Sequence, residues 1–165
     1  MNTLAAEIER ADRLNLIAER IGFALWQLQE LEGASAQYYV LLEKASPGMG
    51  AEAGQKLLDE ALSKTFGKTV TRLQKSGKVP TELMKRFQIL LDERNWLVHN
   101  SRASSRAAVH DEVACTSLIR RVDAIADEAL ALLKEVSKGA EAFLLTQGFS
   151  QQFVEQAAQR ARNQW

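Results

Sequence analysis

The sequence carries a single cysteine, two prolines and two histidines in 165 residues. Cys115 alone cannot form an internal bridge, so stability must come from a packed core and a reducing compartment suits the chain. No apolar run approaches the roughly eighteen residues of a membrane span, which excludes a spanning helix. Met1 to Arg20 alternates charged and apolar residues and has no uninterrupted apolar segment of the signal-peptide kind, so a cytoplasmic location is expected. Excess charge is also missing: 21 basic residues balance 21 acidic ones, so no global field selects nucleic acid or membrane as partner. HExxH, CxxC and paired-histidine spacings are absent, and with them the usual means of building a closed metal site; no metal and no cofactor is expected. No stretch of useful length alternates with the period of a strand.

Helical periodicity is abundant. From Leu14, apolar or small residues recur at 17, 21, 24, 28, 31, 38, 42 and 45, one stripe of a long helix that has room to bend near Gly33. Pro47, Gly48 and Gly50 stop it, and Ala51 to Phe66 reads as a second amphipathic helix. A short helical piece covers Thr69 to Lys75. Gly77 and Pro80 break the chain again, and Thr81 opens a helix in which Leu83, Phe87, Leu90, Leu91 and Leu97 recur at helical spacing. Asn100 to Ser105 reads as a turn. Val109 to Phe143 follows as another long helix with Asp111 and Glu112 near its start and Lys134 and Lys138 late, as the helix dipole favours. Ser150 is placed to cap a C-terminal helix over Gln151 to Arg162, with Phe149 and Val154 as its staple. The expected fold is all-α: an antiparallel up-and-down bundle of four to five main helices in one domain over 1–165, with 146–165 a short C-terminal extension. A chain of this length buries roughly two-thirds of the surface that its unfolded form exposes.

Functional chemistry concentrates in "LDERNWLVHNSR", residues 91–102. If the helix stays regular through His99, Asn95 and His99 share a face as an i, i+4 pair, while Arg94 and His99 lie about 140 degrees apart. Arg94 and His99 meet in one site by two routes: the helix unwinds near its end, or a second copy of the chain brings its own Arg94 to the first copy's His99 about a two-fold axis. Histidine moves protons near neutral pH and arginine matches phosphate oxygens. RNA supplies its own nucleophile in the 2′-hydroxyl, so this pair suffices for metal-free cleavage. Between Arg94 and Arg121 five arginines face only Asp111 and Glu112, a local net +3, and Arg102 and Arg106 are candidates to track a phosphate backbone.

Structural readings stand beside these. Arg94 can pair with an acid on a neighbouring helix while His99 binds the last carbonyls of its own. Arg102 and Arg106 can be solvated turn residues. Trp26 and Trp96 read as core or dimer-interface aromatics before base-stacking platforms, and Cys115 as core.

"RNWLVH", Arg94 to His99, resembles the signature of the HEPN superfamily, in which an arginine and a following polar residue precede a histidine near the end of a bundle helix. The resemblance extends over "KTFGKTVTRLQKSGKVPTELMKRFQILLDERNWLVHNSR", Lys64 to Arg102, with its short glycine-containing helix, basic breaker with proline, apolar helix and motif. It implies a metal-independent endoribonuclease whose composite site is built at a homodimer interface from Arg94 and His99, with Asn95 as the polar residue. It also implies a toxin or phage-defence role, and a minimal nucleotidyltransferase antitoxin as a possible partner. Members silenced by nucleotidylation carry a tyrosine two places after the histidine, where this chain has Ser101. Other members are non-catalytic helical modules that bind a partner protein or a nucleotide, which is the alternative expectation.

Overall fold

A computed structural model describes residues 3–162 and contains, among them, seven helices: α1 (Thr3–Glu43), α2 (Ala51–Leu62), α3 (Phe66–Ser76), α4 (Thr81–His99), α5 (Ser101–Ala108), α6 (Glu112–Thr146) and α7 (Gln151–Arg162). The protein is all-α, as expected. Its breaks lie where backbone chemistry puts them. Gly48 and Gly50 take φ of 80° and 81° in the α1–α2 connection, a region that side-chain-bearing residues rarely enter. Gly77 closes α3 with φ 65°, and Pro80 precedes the first residue of α4. Asp111 caps α6 by accepting the Ala114 N–H at 2.6 Å, and Ser150 caps α7 by accepting that of Phe153 at 3.2 Å.

Two local readings change. Phe66 does not end α2 but begins α3, because Thr65 accepts the Lys68 N–H and so starts a new helix one residue earlier. Residues 101–105, expected as a turn, belong to α5. Ser101 and Ser105 turn their hydroxyls back onto the Leu97 and Ser101 carbonyls, at 2.5 and 2.8 Å, so the serines bond the preceding turn instead of opening the chain. The break between α4 and α5 is therefore the single residue Asn100. Phe149 stacks on Phe153, ring centroids 5.0 Å apart, and Val154 is buried.

Ion pairs reveal the helix directions. Arg86 pairs with Glu128 and Glu93 with Arg121, so a step forward along α4 is an equal step back along α6 and the two are antiparallel. Arg20 pairs with Asp123, and Gly139 lies against Tyr38, so α1 and α6 run in the same direction. The long helices α1 and α6 thus pack against each other in parallel, and α4 runs against both. Phe87, Leu90 and Leu97 of α4, Leu28 and Leu31 of α1, Leu73 of α3 and Val122 and Leu132 of α6 are each at most 2% exposed and form the centre of the core. Cys115 is buried among them as expected. Residues 4–12 of α1 are exposed and extend past this core.

Two helix-interior glycines should respond oppositely to a methyl group. A Cβ at Gly139 would stand 2.6 Å from the Tyr38 hydroxyl and 3.0 Å from its Cζ, whereas one at Gly33 meets nothing within 4 Å. Gly33→Ala is expected to stabilise by up to about 1 kcal/mol through helix propensity, and Gly139→Ala to destabilise by about 1–2 kcal/mol through overpacking; urea unfolding of both variants checks the signs.

Burial raises the Tyr38 pKa. The unfolded phenol ionises near pH 10 while the folded one resists, so stability present below that pH falls as the pH rises through it. Unfolding midpoints between pH 8 and 11 should show a steeper alkaline fall for the wild type than for Tyr38→Phe.

Candidate functional site at the end of α4

Burial of Phe87, Leu90 and Leu97 sets the rotation of α4, and everything else on the helix follows from it. Arg94 turns towards α1. Asn95 and His99 turn outward and are exposed, together with Val98 at 46% and Ile89 at 64%. The helix is continuous through His99, so unwinding does not bring Arg94 and His99 together within one chain. Of the two routes open in the sequence, only the one that uses a second copy remains compatible with this backbone.

Arg94 donates from Nε to Glu32 Oε1 of α1 at 3.0 Å. Both side chains are about three-quarters buried, at 28% and 27% exposure. Pairing with an acid on a neighbouring helix is what the structural reading of Arg94 expected. The geometry of the pair adds something to it. Arg86 and Arg121 use both Nε and Nη2, each gripping both oxygens of its glutamate, Glu128 and Glu93. Arg94 is held by Nε alone, and neither of its Nη groups has a hydrogen-bond partner among the described residues. The guanidinium is fixed by one edge while its other donors stay available for an oxyanion.

The His99 imidazole also has no hydrogen-bond partner among the described residues. The carbonyls at the end of α4 are taken by other groups: the Asn100 N–H bonds Trp96 O at 2.8 Å, and Ser101 Oγ bonds Leu97 O. The imidazole is therefore not used to finish the helix.

Arg102 and Arg106 are exposed and lie four residues apart on α5. The local excess of positive charge is smaller in the fold than along the chain, because Glu32 and Glu93 lie outside or opposite the counted segment and neutralise Arg94 and Arg121. Arg102, Arg106 and Arg120 remain as exposed cations. At the far end of α5, Arg13 donates from Nε to Val109 O at 2.9 Å.

The two tryptophans separate. Trp96 is half-buried beneath the Arg121 guanidinium, 3.5 Å from its ring centroid, and packs against the core. Trp26 is 61% exposed and its indole N–H donates to Glu30 Oε1, so it is not a core residue. Glu32 was not among the residues singled out in the sequence. It lies 62 positions from Arg94, and no local motif links the two. Glu32 also lines a cleft of about 210 Å³ between α1 and the α2–α3 connection, with Gln29, Gly33, Ala36, Lys64 and Phe66. No group of three or more His, Cys, Asp or Glu side chains suited to a metal ion occurs among the described residues.

Neither a family model nor a curated protein nor a solved structure matches this chain.

If the Arg94–Glu32 pair is a light structural tie, a double-mutant cycle of Arg94→Ala and Glu32→Ala in urea unfolding should return a coupling of at most about 1 kcal/mol, with both single variants folded. A coupling of several kcal/mol would make Arg94 a structural residue first.

Proposed function

We propose that this protein is a metal-independent endoribonuclease of HEPN type, a toxin or phage-defence effector that acts as a homodimer. The observation that carries the reading is the state of the two functional side chains: Arg94 is anchored through Nε with both Nη groups free, and His99 is exposed without a partner. In the proposed reaction the RNA O2′ attacks the adjacent phosphorus, the P–O5′ bond breaks, and a 2′,3′-cyclic phosphate and a 5′-hydroxyl form. His99 takes the 2′-hydroxyl proton or delivers one to the leaving oxygen, and the Arg94 of the other copy stabilises the charge that builds on the phosphate. Asn95, one turn before His99 on the same face, orients the imidazole. The exposed apolar Ile89 and Val98 beside these polar residues suit an interface. Arg102 and Arg106 hold the RNA backbone. Ser101 replaces the tyrosine through which related toxins are silenced, and its hydroxyl is engaged with Leu97 O, so any antitoxin, such as a minimal nucleotidyltransferase, would act elsewhere.

A second reading, a non-catalytic module that binds a partner protein or a nucleotide, is favoured by the exposed Phe23 and Trp26 on α1.

Cleavage of labelled mixed-sequence RNA in excess EDTA separates the readings. The wild type should cut and leave 2′,3′-cyclic phosphate ends, and His99→Ala and Arg94→Ala should each abolish cleavage while remaining folded dimers. Refolded together, the two variants should regain about one quarter of wild-type activity, because half the dimers are mixed and each mixed dimer has one intact site out of two. No regain would place Arg and His in one chain, and folded dimers that never cut would favour the binding module.

A further inference from the structure

We propose that the cleft between α1 and the α2–α3 connection is a nucleobase subsite beside Arg94, taking an unpaired base of the RNA whose phosphate Arg94 contacts. The proposal rests on the ribonuclease reading for its biological meaning, but its physical argument is local. Glu32 is shared by the two places: Oε1 receives Arg94, and the same side chain lines the cleft. A phosphate at the free Nη groups of Arg94 would thus put the attached nucleoside within reach of the opening.

The lining fits a flat ring with a polar edge. Phe66 and Ala36, each 2% exposed, and Gly33 make an apolar wall. Gln29 and Lys64 present donors and an acceptor, and neither side chain has a hydrogen-bond partner among the described residues. Glu32 Oε2 accepts no hydrogen bond among the described residues, so it is available to the exocyclic amine or ring N–H of a base. A carboxylate in the wall also argues against a free phosphate inside the cleft, and a neutral ring with N–H groups satisfies it. A volume of about 210 Å³ corresponds to roughly seven waters of liquid, room enough for one base.

Gly33, one of the lining residues, bears on the shape of the cleft. It sits inside the 41-residue α1, where glycine is less favourable than alanine. Its φ is not positive, and no neighbour comes within 4 Å of the position that a Cβ would take. Neither backbone conformation nor close packing requires glycine here; what its missing side chain leaves is open space in the cleft wall.

The test uses two readouts on the wild type, Gly33→Ala and Gly33→Leu. In the first, amide spectra of ¹⁵N-labelled protein are followed during titration with each of the four ribonucleoside 5′-monophosphates. Saturable shifts at Gly33 and Phe66 are expected for at least one nucleotide in the wild type, reduced in Gly33→Ala and lost in Gly33→Leu. Absence of such shifts, or their persistence in Gly33→Leu, overturns the subsite whatever the RNA assay shows. In the second, Gly33→Leu should raise KM for a short single-stranded RNA about tenfold with kcat within about twofold, and flatten the base preference at the cut. Unchanged KM and preference overturn the subsite and leave the ribonuclease reading standing. Nucleotide binding at the cleft with no RNA cleavage does the reverse.

Discussion

A straight α-helix turns by about 100 degrees per residue, and α4 stays regular from Thr81 to His99. Because Phe87, Leu90 and Leu97 must face the core, the directions of Arg94, Asn95 and His99 are not independent choices. The arginine falls on the flank nearest α1, and the amide and imidazole fall on the side facing solvent. One chain therefore holds the two halves of the proposed site on different faces. Catalysis with this pair calls for a partner that supplies the missing half, and this makes the bundle's helical regularity, more than any loop, the origin of the proposed composite site.

The same inter-helical device appears three times on α4, with three degrees of saturation. Arg86 with Glu128 and Arg121 with Glu93 are closed forks that tie α4 to α6. Arg121 is in addition stacked on Trp96. Such arginines have little capacity left for a ligand. The Arg94 pair differs in being more buried and less complete, a combination that orients the guanidinium without exhausting it. An arginine fixed by a carboxylate loses less conformational freedom on meeting a phosphate than a free one does, so the Glu32 contact and a phosphate-binding role are complementary uses of one side chain.

The positions of the main helices were legible because their causes are local: glycine and proline at 47–50 and 77–80, an aspartate cap at 111, and apolar stripes at helical period. Where prediction and structure part, a competing local or tertiary effect is identifiable. Ser101 and Ser105 satisfy their hydroxyls on carbonyls of the preceding turn, so a serine-rich stretch that reads as a breaker carries α5. Trp26 lies two residues from both Ala24 and Leu28, about 200 degrees around the helix from each, so its own spacing directs it outward despite its apolar character. Glu32 was not legible. Its pairing depends on how α1 and α4 come together, and nothing in its sequence neighbours records that. The parallel run of α1 and α6 is likewise a property of the assembled fold.

Asn100 is the only residue between α4 and α5, and α5 is fastened on both sides of it and beyond: Ser101 to Leu97 at its beginning, Arg13 to Val109 just after its end. The segment carrying Arg102 and Arg106 is accordingly a short rigid bracket whose Cα positions are set before any ligand arrives. A basic loop would surrender backbone entropy of about 1–2 kcal/mol for each residue ordered on binding. A bracket of eight residues that is already helical has met that cost during folding. Its two arginines retain only side-chain freedom to lose, and the helix holds the Cα atoms from which they extend about one turn apart.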